Sequence, residues 1–306
     1  MKTALCSIAK LENKYIYEWV QYHIDLGFSH VFIYDNNDID GETISSVFED
    51  SAIKEYVTIV DFRGKSRMQL KAYNDCYQTY EYDWFAFIDV DEFISFNPES
   101  GIKRIDQFLN RFQDSDAVVL NWKCFGDCNE IVYRPGSVFD RFQTPILPLD
   151  FVASLTNGLP ENYHVKCIIR SGINIDWEAE HYPSPNPHVP AGLNRVCNAV
   201  GAPVNDAPWQ KPDYQISYIS HFITMSIEEY LRKIKRGAAD TGSKNRYGIL
   251  RFFRYNVITF EKLRFIKKAT GSVPLLGIIN ERFKWKSITY KWPTMLLYKS
   301  FRHSRI

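Results

Sequence analysis

The sequence predicts an α/β fold, a mostly parallel, doubly wound sheet with a helical C-terminal tail. Three observations predict it. The first 125 residues alternate between short apolar runs of strand type and segments whose apolar residues recur at helical spacing. The connections between them are short, which favours consecutive β-α-β units over separate sheets and bundles. Three of the apolar runs also end at or near an aspartate, Asp35, Asp61 and Asp89. In such a sheet ligands bind where the strands deliver their carboxyl ends.

The elements follow in order. Thr3 to Ala9 is a first strand. From Glu12 to Leu26 the positions Ile16, Trp19, Val20 and Ile24 share one helical face, and Gly27 is placed to end that helix. HVFIYD, residues 30 to 35, is a second strand that leads into the polar loop DNNDIDGE. A short helix over 43 to 50 precedes a third strand, YVTIVDF (56 to 62), and a helix from Met68 to Tyr80. The run WFAFIDVDEFISF, 84 to 96, supplies the fourth strand. A helix over Ile105 to Phe112 then precedes the strand AVVLNW, 117 to 122. From 126 to 220 Pro and Gly become frequent, which indicates long loops over the active edge of the sheet. ISYISHF (216 to 222) is a late strand. MSIEEYLRKIKRG (225 to 237) is a helix with Ser226 as N-cap, Glu228 and Glu229 in its first turn, and Gly237 at its end. The division expected is a catalytic domain over 1 to 243, with a donor-binding half (1 to 125) and an acceptor-binding, closing half (126 to 243), then a basic tail from 244 to 306.

Composition narrows the function. Of 306 residues 45% are hydrophobic, enough for a large core and against overall disorder. No run approaches 18 apolar residues, which excludes a membrane-spanning helix, and the N-terminus reads as a strand rather than an export signal. Six cysteines lack both a disulfide framework and zinc spacing, as expected of buried free thiols in a reducing cytosol. The net charge of +1 hides a strong asymmetry. From Lys244 onward 15 basic residues face only Glu261 and Glu281, a net of +13, so the preceding part carries 22 basic against 34 acidic residues, or −12. Basic residues interleaved with aromatic ones, as in ILRFFRY and FKWKSITYKWPTMLLYKSF, fit a surface lying on anionic membrane at least as well as a nucleic-acid binder. That places the chain in the cytoplasm, peripheral on the inner face of the cytoplasmic membrane.

The fourth strand raises the chemical question. It places Asp89, Asp91 and Glu92 within four positions, walled by Phe85, Phe87, Ile88, Phe93 and Ile94. Crowded carboxylates in a core cost several kcal/mol unless something positive neutralises them. A divalent cation, Mn²⁺ or Mg²⁺, is the economical answer, because these ions take one or two carboxylates together with phosphate oxygens. A solvated turn is the bland alternative.

With these segments in view the chain resembles glycosyltransferases of the GT-A fold, specifically family 92 and related bacterial family-2-like enzymes. The resemblance rests on AKLENKYIYEWVQYHIDLGFSHVFIYDNNDID, MQLKAYNDCYQTYEYDWFAFIDVDEFI, NWKCFGDCNEIVYRPGSVFDRF, HVKCIIRSGINI with a following His181, and ISHFITMSIEEYLRKIKRGAAD. It implies transfer of a sugar from a nucleoside-diphosphate donor, a UDP-sugar with UDP-galactose as one candidate, to an oligosaccharide or lipid-linked glycan hydroxyl. Inversion at the sugar carbon and a role in cell-surface polysaccharide or lipopolysaccharide synthesis come with it. It also implies roles for residues. Asp89 and Asp91 hold the metal and donor, and His221 supplements the metal, ahead of His181 and His164, which more plausibly touch substrate. Ala9, Glu12, Asp35 and Arg63 contact base and ribose, with Arg67 and Gln69 near the diphosphate or sugar. Asn74 and Asp75 match the middle segment. Lys233 and Arg236 touch the diphosphate if their helix faces the cleft.

The general base is expected to be Asp127, then Glu130, then Asp150. For Asp35 and Asp127 a loop-stabilising role stands beside the functional one, and for Lys233 and Arg236 a solvated helix face does.

Two other classes share some of these features. A phosphatase or phosphotransferase of the haloacid dehalogenase type also uses Asp-x-Asp after a strand, with the first Asp as nucleophile, but usually on the first strand. A non-catalytic protein would be either a nucleic-acid binder led by the basic, aromatic tail or an inactive sugar-binding relative.

Overall fold

A computed structural model describes residues 1–146, 161–178, 188–204, 209–237 and 248–273. His181, Asp150 and the rest of the basic tail lie outside the described residues.

The N-terminal half is built as expected. β1 (Thr3–Ala9), β2 (His30–Asp35) and β3 (Val57–Asp61) are parallel neighbours, and β4 (Trp84–Phe87) joins β1 on its other side. Side chains alternate across β1, so its two faces are covered by different helices. Ala4, Cys6 and Ile8 pack with Ala72, Tyr73 and Cys76 of one helix. Leu5 and Ala9 pack on the other face with Ile16, Trp19 and Val20. These helices are α1 (Ile16–Asp25) and, after the short α2 (Ser45–Phe48), α3 (Gln69–Thr79). The sheet is therefore wound on both faces.

α1 begins four residues later than its apolar pattern suggests. Leu11 adopts a left-handed φ of 57°, and the Glu12 carbonyl accepts from the amides of both Tyr15 and Ile16. A tight turn thus precedes the helix. Gly27, with φ 105°, follows its end as expected.

The fourth strand departs from expectation. WFAFIDVDEFISF is not one strand but two, β4 and β5 (Glu92–Phe96), with Ile88 to Asp91 forming the connection. The Glu92 amide donates to the Asp89 carbonyl at 3.0 Å, and the Glu92 carboxylate folds back to accept the Asp89 amide at 3.0 Å. That reciprocal turn breaks the ladder, and β5 leaves the parallel half of the sheet.

After α4 (Ile105–Leu109), β6 (Ala117–Cys124), α5 (Val138–Arg141) and β7 (Val165–Arg170), the order across the sheet reads β3-β2-β1-β4-β7-β6-β9-β5, where β9 is Ser217–His221. β7 runs antiparallel between β4 and β6. The short β8 (Val196–Asn198) lies parallel to the first half of β6, and β9 runs parallel to its second half. β9 then pairs antiparallel with β5, setting His221 opposite Glu92. The chain thus leaves the parallel half through the acidic turn and returns at the far end of the sheet.

The described part of the tail, residues 248–273, packs against the rest of the chain. α6 (Ile227–Arg236) starts on a capping box of Ser226 and Glu229, as its sequence announces. α7 (Ile249–Tyr255) and α8 (Phe260–Thr270) pack on it, burying Phe252, Phe253 and Ile266 against Ile227 and Tyr230. Two ion pairs fasten them to the sheet domain, Arg251 to Glu161 at 2.9 Å and Lys262 to Asp127. Gly126 permits the approach, since a Cβ there would lie 2.9 Å from Asn256 Oδ1.

Candidate active site

The acidic turn gathers its counter-charges from two distant elements. Lys166, buried on β7, donates to Asp89 Oδ2 at 3.0 Å and stands 3.5 Å from Glu92 Oε2. Burial alone would lower the lysine, but Asp89 and Glu92 outweigh it and hold it well above its ordinary value. The other Asp89 oxygen accepts from Gln69 Nε2 at 3.0 Å, and Gln69 donates as well to the Tyr73 hydroxyl at 3.1 Å. Asp89 is thereby gripped on both oxygens, although 37% of its side chain stays open to solvent.

Asp91 points the other way, with 12% of its side chain exposed. Its Oδ2 accepts from Lys233 of α6 and lies 3.6 Å from His221 Nε2. Burial works to raise the Asp91 carboxyl, but Lys233 and His221 overcome it and hold it well below the usual carboxylate range. Burial lowers His221, leaving a neutral imidazole suited to ligation. Trp122 packs against that ring with centroids 4.3 Å apart, and the Phe222 amide donates to the Asp91 carbonyl at 2.9 Å.

Asp91 opens onto a cleft of about 690 Å³. Its walls come from the segment after β1 (Lys10, Glu12), the loop after β2 (Asp38, Glu42) and α6 (Lys233, Arg236). Lys10 pairs with Asp38 at 2.6 Å, and Arg236 bridges to the Glu12 carboxylate and to the Lys10 carbonyl, the latter at 2.9 Å. α6 is thus strapped across the carboxyl ends of the parallel strands, and its cationic last turn faces the cleft rather than solvent.

The structure distributes the other expected residues differently. Ala9 ends β1 and its carbonyl accepts the Asn36 amide at 2.8 Å. Asp35 is buried and caps the following loop, accepting the Asn37 amide at 3.0 Å and the Ile44 amide at 2.9 Å. Asp38 and Glu42, from that same loop, reach the cleft in its place. Arg63 forms a forked pair with Asp61, both contacts 3.1 Å. Arg67 is exposed and holds a left-handed φ of 55° just before α3. Asn74 and Asp75 tie α3 to its surroundings, accepting the Trp177 amide at 3.4 Å and the Tyr34 hydroxyl at 2.6 Å. His164 stacks on His188 and lies tilted against Trp122, the three rings in mutual contact.

Neither favoured base lines the cleft. Asp127 is buried against Lys262, accepts the Asn129 amide at 3.0 Å, and sits beneath α8. Glu130 is held by Arg134 and, at 2.9 Å, by Arg141, which also grips Glu229 at 2.7 Å. Each carboxylate is spent on a cation, so the base role expected of them has no geometric support.

For the metal the fit is partial. Among the described residues no group of three or more His, Cys, Asp or Glu side chains is arranged to hold an ion. Asp91 and His221 converge, whereas Asp89 turns to Lys166 and Gln69. Two protein donors nonetheless suit a hard cation that takes its other ligands from phosphate and water.

Against known proteins, the model of "Glycosyltransferase family 92" matches residues 5–177, more than half of the sequence. The chain belongs to glycosyltransferase family 92. A family 92 protein of Ricinus communis is 30% identical over 120 residues, which are 37% of this chain and 20% of that one. One of Arabidopsis thaliana is 34% identical over 106 residues, 31% of this chain and 17% of that one. The matched part therefore spans a fifth or less of these relatives. Among solved structures, Staphylococcus aureus TarS 1–349 in complex with UDP-GlcNAc is 14% identical, covering 93% of this chain and 78% of that one with a TM-score of 0.43. Mannosyltransferase PcManGT from Pyrobaculum calidifontis, in complex with GDP-Man and Mn²⁺, is 10% identical, covering 98% and 79% with a TM-score of 0.40. The sheet of this family 92 chain is the mostly parallel, doubly wound α/β arrangement that the sequence predicts, with β7 and β5 running antiparallel to their neighbours.

Sequence reasoning missed Lys166 and the Tyr15–Glu229–Arg141 network that anchors α6. The signal for Lys166 was present. HVKCIIR is an otherwise apolar buried strand, and a lysine inside such a run calls for an anion nearby.

Proposed function

We propose that this family 92 chain transfers a sugar from a nucleoside-diphosphate donor to the hydroxyl of a glycan acceptor. The observation that supports it best is the cleft at the strand ends, which sets the carboxylate of Asp91 and the cations of α6 around one space. A departing diphosphate gains negative charge in the transition state, and positive groups fixed beforehand at that place stabilise it selectively. Asp91 and His221 would hold Mn²⁺ or Mg²⁺, which supplies a Lewis acid to the phosphate oxygens when bound. Lys233 and Arg236 add positive charge from the opposite wall. Asp89, fixed by Lys166 and Gln69, keeps its open edge for donor hydroxyls. A phosphotransferase using Asp89 as nucleophile is disfavoured, because both of its oxygens are already engaged.

The donor is read as a UDP-sugar and the acceptor as an oligosaccharide or lipid-linked glycan of the cell surface. Contact with anionic membrane through the basic tail fits the exposure of Val257 (60%) and Phe260 (72%) at the start of α8. No described helix is long and apolar enough to cross a membrane. The deciding experiment is a screen of nucleotide sugars by nucleotide release, with and without Mn²⁺, on the native protein and Asp91→Ala. Release from one donor, lost with chelator and lowered at least about a hundredfold in the variant, is expected. Turnover that survives Asp91→Ala would refute the reading.

A further inference from the structure

A basic segment can reach a membrane as a loose tether or through a surface that folding has already shaped, and α8 carries a surface of the second kind. The inference rests on the membrane contact proposed above and specifies where it is made. Eight large apolar side chains are exposed among the described residues, and only Val257 and Phe260 lie within one helical turn of each other in sequence. They stand 60% and 72% exposed where the chain enters α8. Single exposed apolar residues are ordinary on a protein surface. A Phe this open, beside a second apolar side chain, forgoes transfer energy that an apolar environment would restore.

The charge beside the pair has mostly one sign. Spacings of four, seven and eight residues return to the same face of a helix, which sets Arg264, Lys267 and Lys268 on the side of α8 that carries Phe260. All three are exposed, and none pairs with a carboxylate among the described residues. Glu261 is the one carboxylate of this helix, and the opposite face, with Lys262 and Ile266, is buried. An apolar tip flanked by cations matches an anionic bilayer, with hydrocarbon for the tip and headgroup phosphates for the cations. The phosphates of a nucleic acid would satisfy the cations but leave Val257 without an apolar partner.

The tip is also fixed from beneath. Lys262 Nζ donates to the Val257 carbonyl at 2.9 Å and to Asn129 Oδ1 at 3.1 Å. Asn256 Oδ1 accepts the Asp127 amide at 2.7 Å, and its Nδ2 donates to the Phe252 carbonyl at 2.9 Å. The loop is thereby tied to the turn after β6, so it is ordered in folding and not at the membrane. We propose that Val257 and Phe260 insert into an anionic bilayer while Arg264, Lys267 and Lys268 hold its headgroup phosphates. Because α8 packs on α6, and α6 lines the cleft, this docking orients the catalytic domain on the lipid rather than only tethering it.

The test uses the full chain carrying an environment-sensitive fluorophore on Val257→Cys, with Tyr56→Cys in the N-terminal half as the control position. Five of the six native cysteines are buried, and the unsubstituted chain, labelled in parallel, accounts for Cys128. On vesicles containing phosphatidylglycerol the probe at 257 should brighten and be quenched by brominated lipid, while the probe at 56 should not respond. Co-sedimentation measures the affinity. Val257→Ser with Phe260→Ser should weaken uptake by these vesicles about tenfold or more. Arg264→Gln, Lys267→Gln and Lys268→Gln together should weaken it by about fivefold for each charge removed, and should leave binding to pure phosphatidylcholine unchanged. All these positions are exposed, so melting should match that of the native chain. If the chain sediments with vesicles while the probe at 257 stays in water and the substitutions change nothing, the tip is not the contact, and the membrane reading stands on residues beyond 273. If the chain takes up no vesicles, that reading falls and the tip with it. Retention on duplex DNA in place of vesicles, lowered by the three Gln substitutions, would assign the cations to nucleic acid and overturn the proposal.

Discussion

Lys262→Met tests how much of the basic stretch is structural. The Lys262 side chain is fully buried and that of Asp127 is 5% exposed. Removing one partner of such a pair leaves an uncompensated charge out of water, a loss of about 3–5 kcal/mol. At roughly 2–4 °C per kcal/mol for a domain of this size, the melting temperature should fall by about 6–20 °C. Thermal melts followed by circular dichroism are the assay. Asp127→Asn combined with Lys262→Met removes both charges and should recover most of the loss, because neither group is then buried unpaired. The sign with pH is also fixed. Burial, opposed by Lys262 and the Asn129 amide, raises the Asp127 carboxyl above its ordinary value. A raised carboxyl favours the folded state as it takes up a proton, so stability contributed there is gained as pH falls through the folded-state pKa and lost as pH rises. Without Lys262 the carboxyl moves higher still, so the deficit of Lys262→Met should be smaller at pH 5 than at pH 8. A single variant melting within about 1 °C of the native chain would refute the argument. So would a double variant no more stable than the single. The folded double variant also decides the role of Asp127 in turnover, since a structural carboxylate predicts retained nucleotide release and a general base predicts its loss.

Two further outcomes follow from the packing. A chain ended at Val273 keeps α7, α8 and both of their ion pairs and should melt close to the full chain. One ended before Gly248 leaves Asp127 and Glu161 without Lys262 and Arg251 and should lose cooperative unfolding. Sedimentation of the 273-residue form with anionic vesicles then reports membrane contact without the confounding loss of fold. His23 gives a pH signature of its own. It is locked neutral, its Nδ1–H donating to the Trp19 carbonyl at 2.8 Å while Nε2 accepts the Ile94 amide at 3.2 Å, and burial pushes its pKa down to about 3. The unfolded chain takes up this proton near pH 6.5 and the folded chain does not, so stability falls as pH drops below that value. Urea unfolding should show about 2 kcal/mol lost between pH 6.5 and 5 from this residue, a slope absent in His23→Gln.

Much of the fold was legible because it is written in local periodicity. β1, β2, α3 and the Ser226 cap of α6 could be placed from spacing and capping chemistry alone, because each is decided within a dozen residues. The break at Ile88 could not. The apolar pattern runs unbroken through the acidic residues, and what interrupts the strand is a side chain, Glu92, folding back onto its own turn. The same limit explains Asp35 and Asp127. From sequence, a carboxylate after a strand looks the same whether it faces a ligand or caps a loop. Whether Asp127 was free depended on Lys262, 135 positions later, in a stretch whose charge seemed to belong to a surface. The basic asymmetry of that stretch was real, but two of its cations are turned inward.

The positive partner demanded by the acidic turn could not be read locally either, since it arrives from residues 77 and 142 positions away. Lys166 comes from β7, with 1% of its side chain exposed, and Lys233 comes from α6, which is strapped to the end of β1 through Arg236 and Glu12. Carboxylates crowded out of water are costly until such partners arrive. The acidic turn is therefore compensated only once β7 and the returning helix have both closed on it, so the same contacts that balance its charge also shape the cleft.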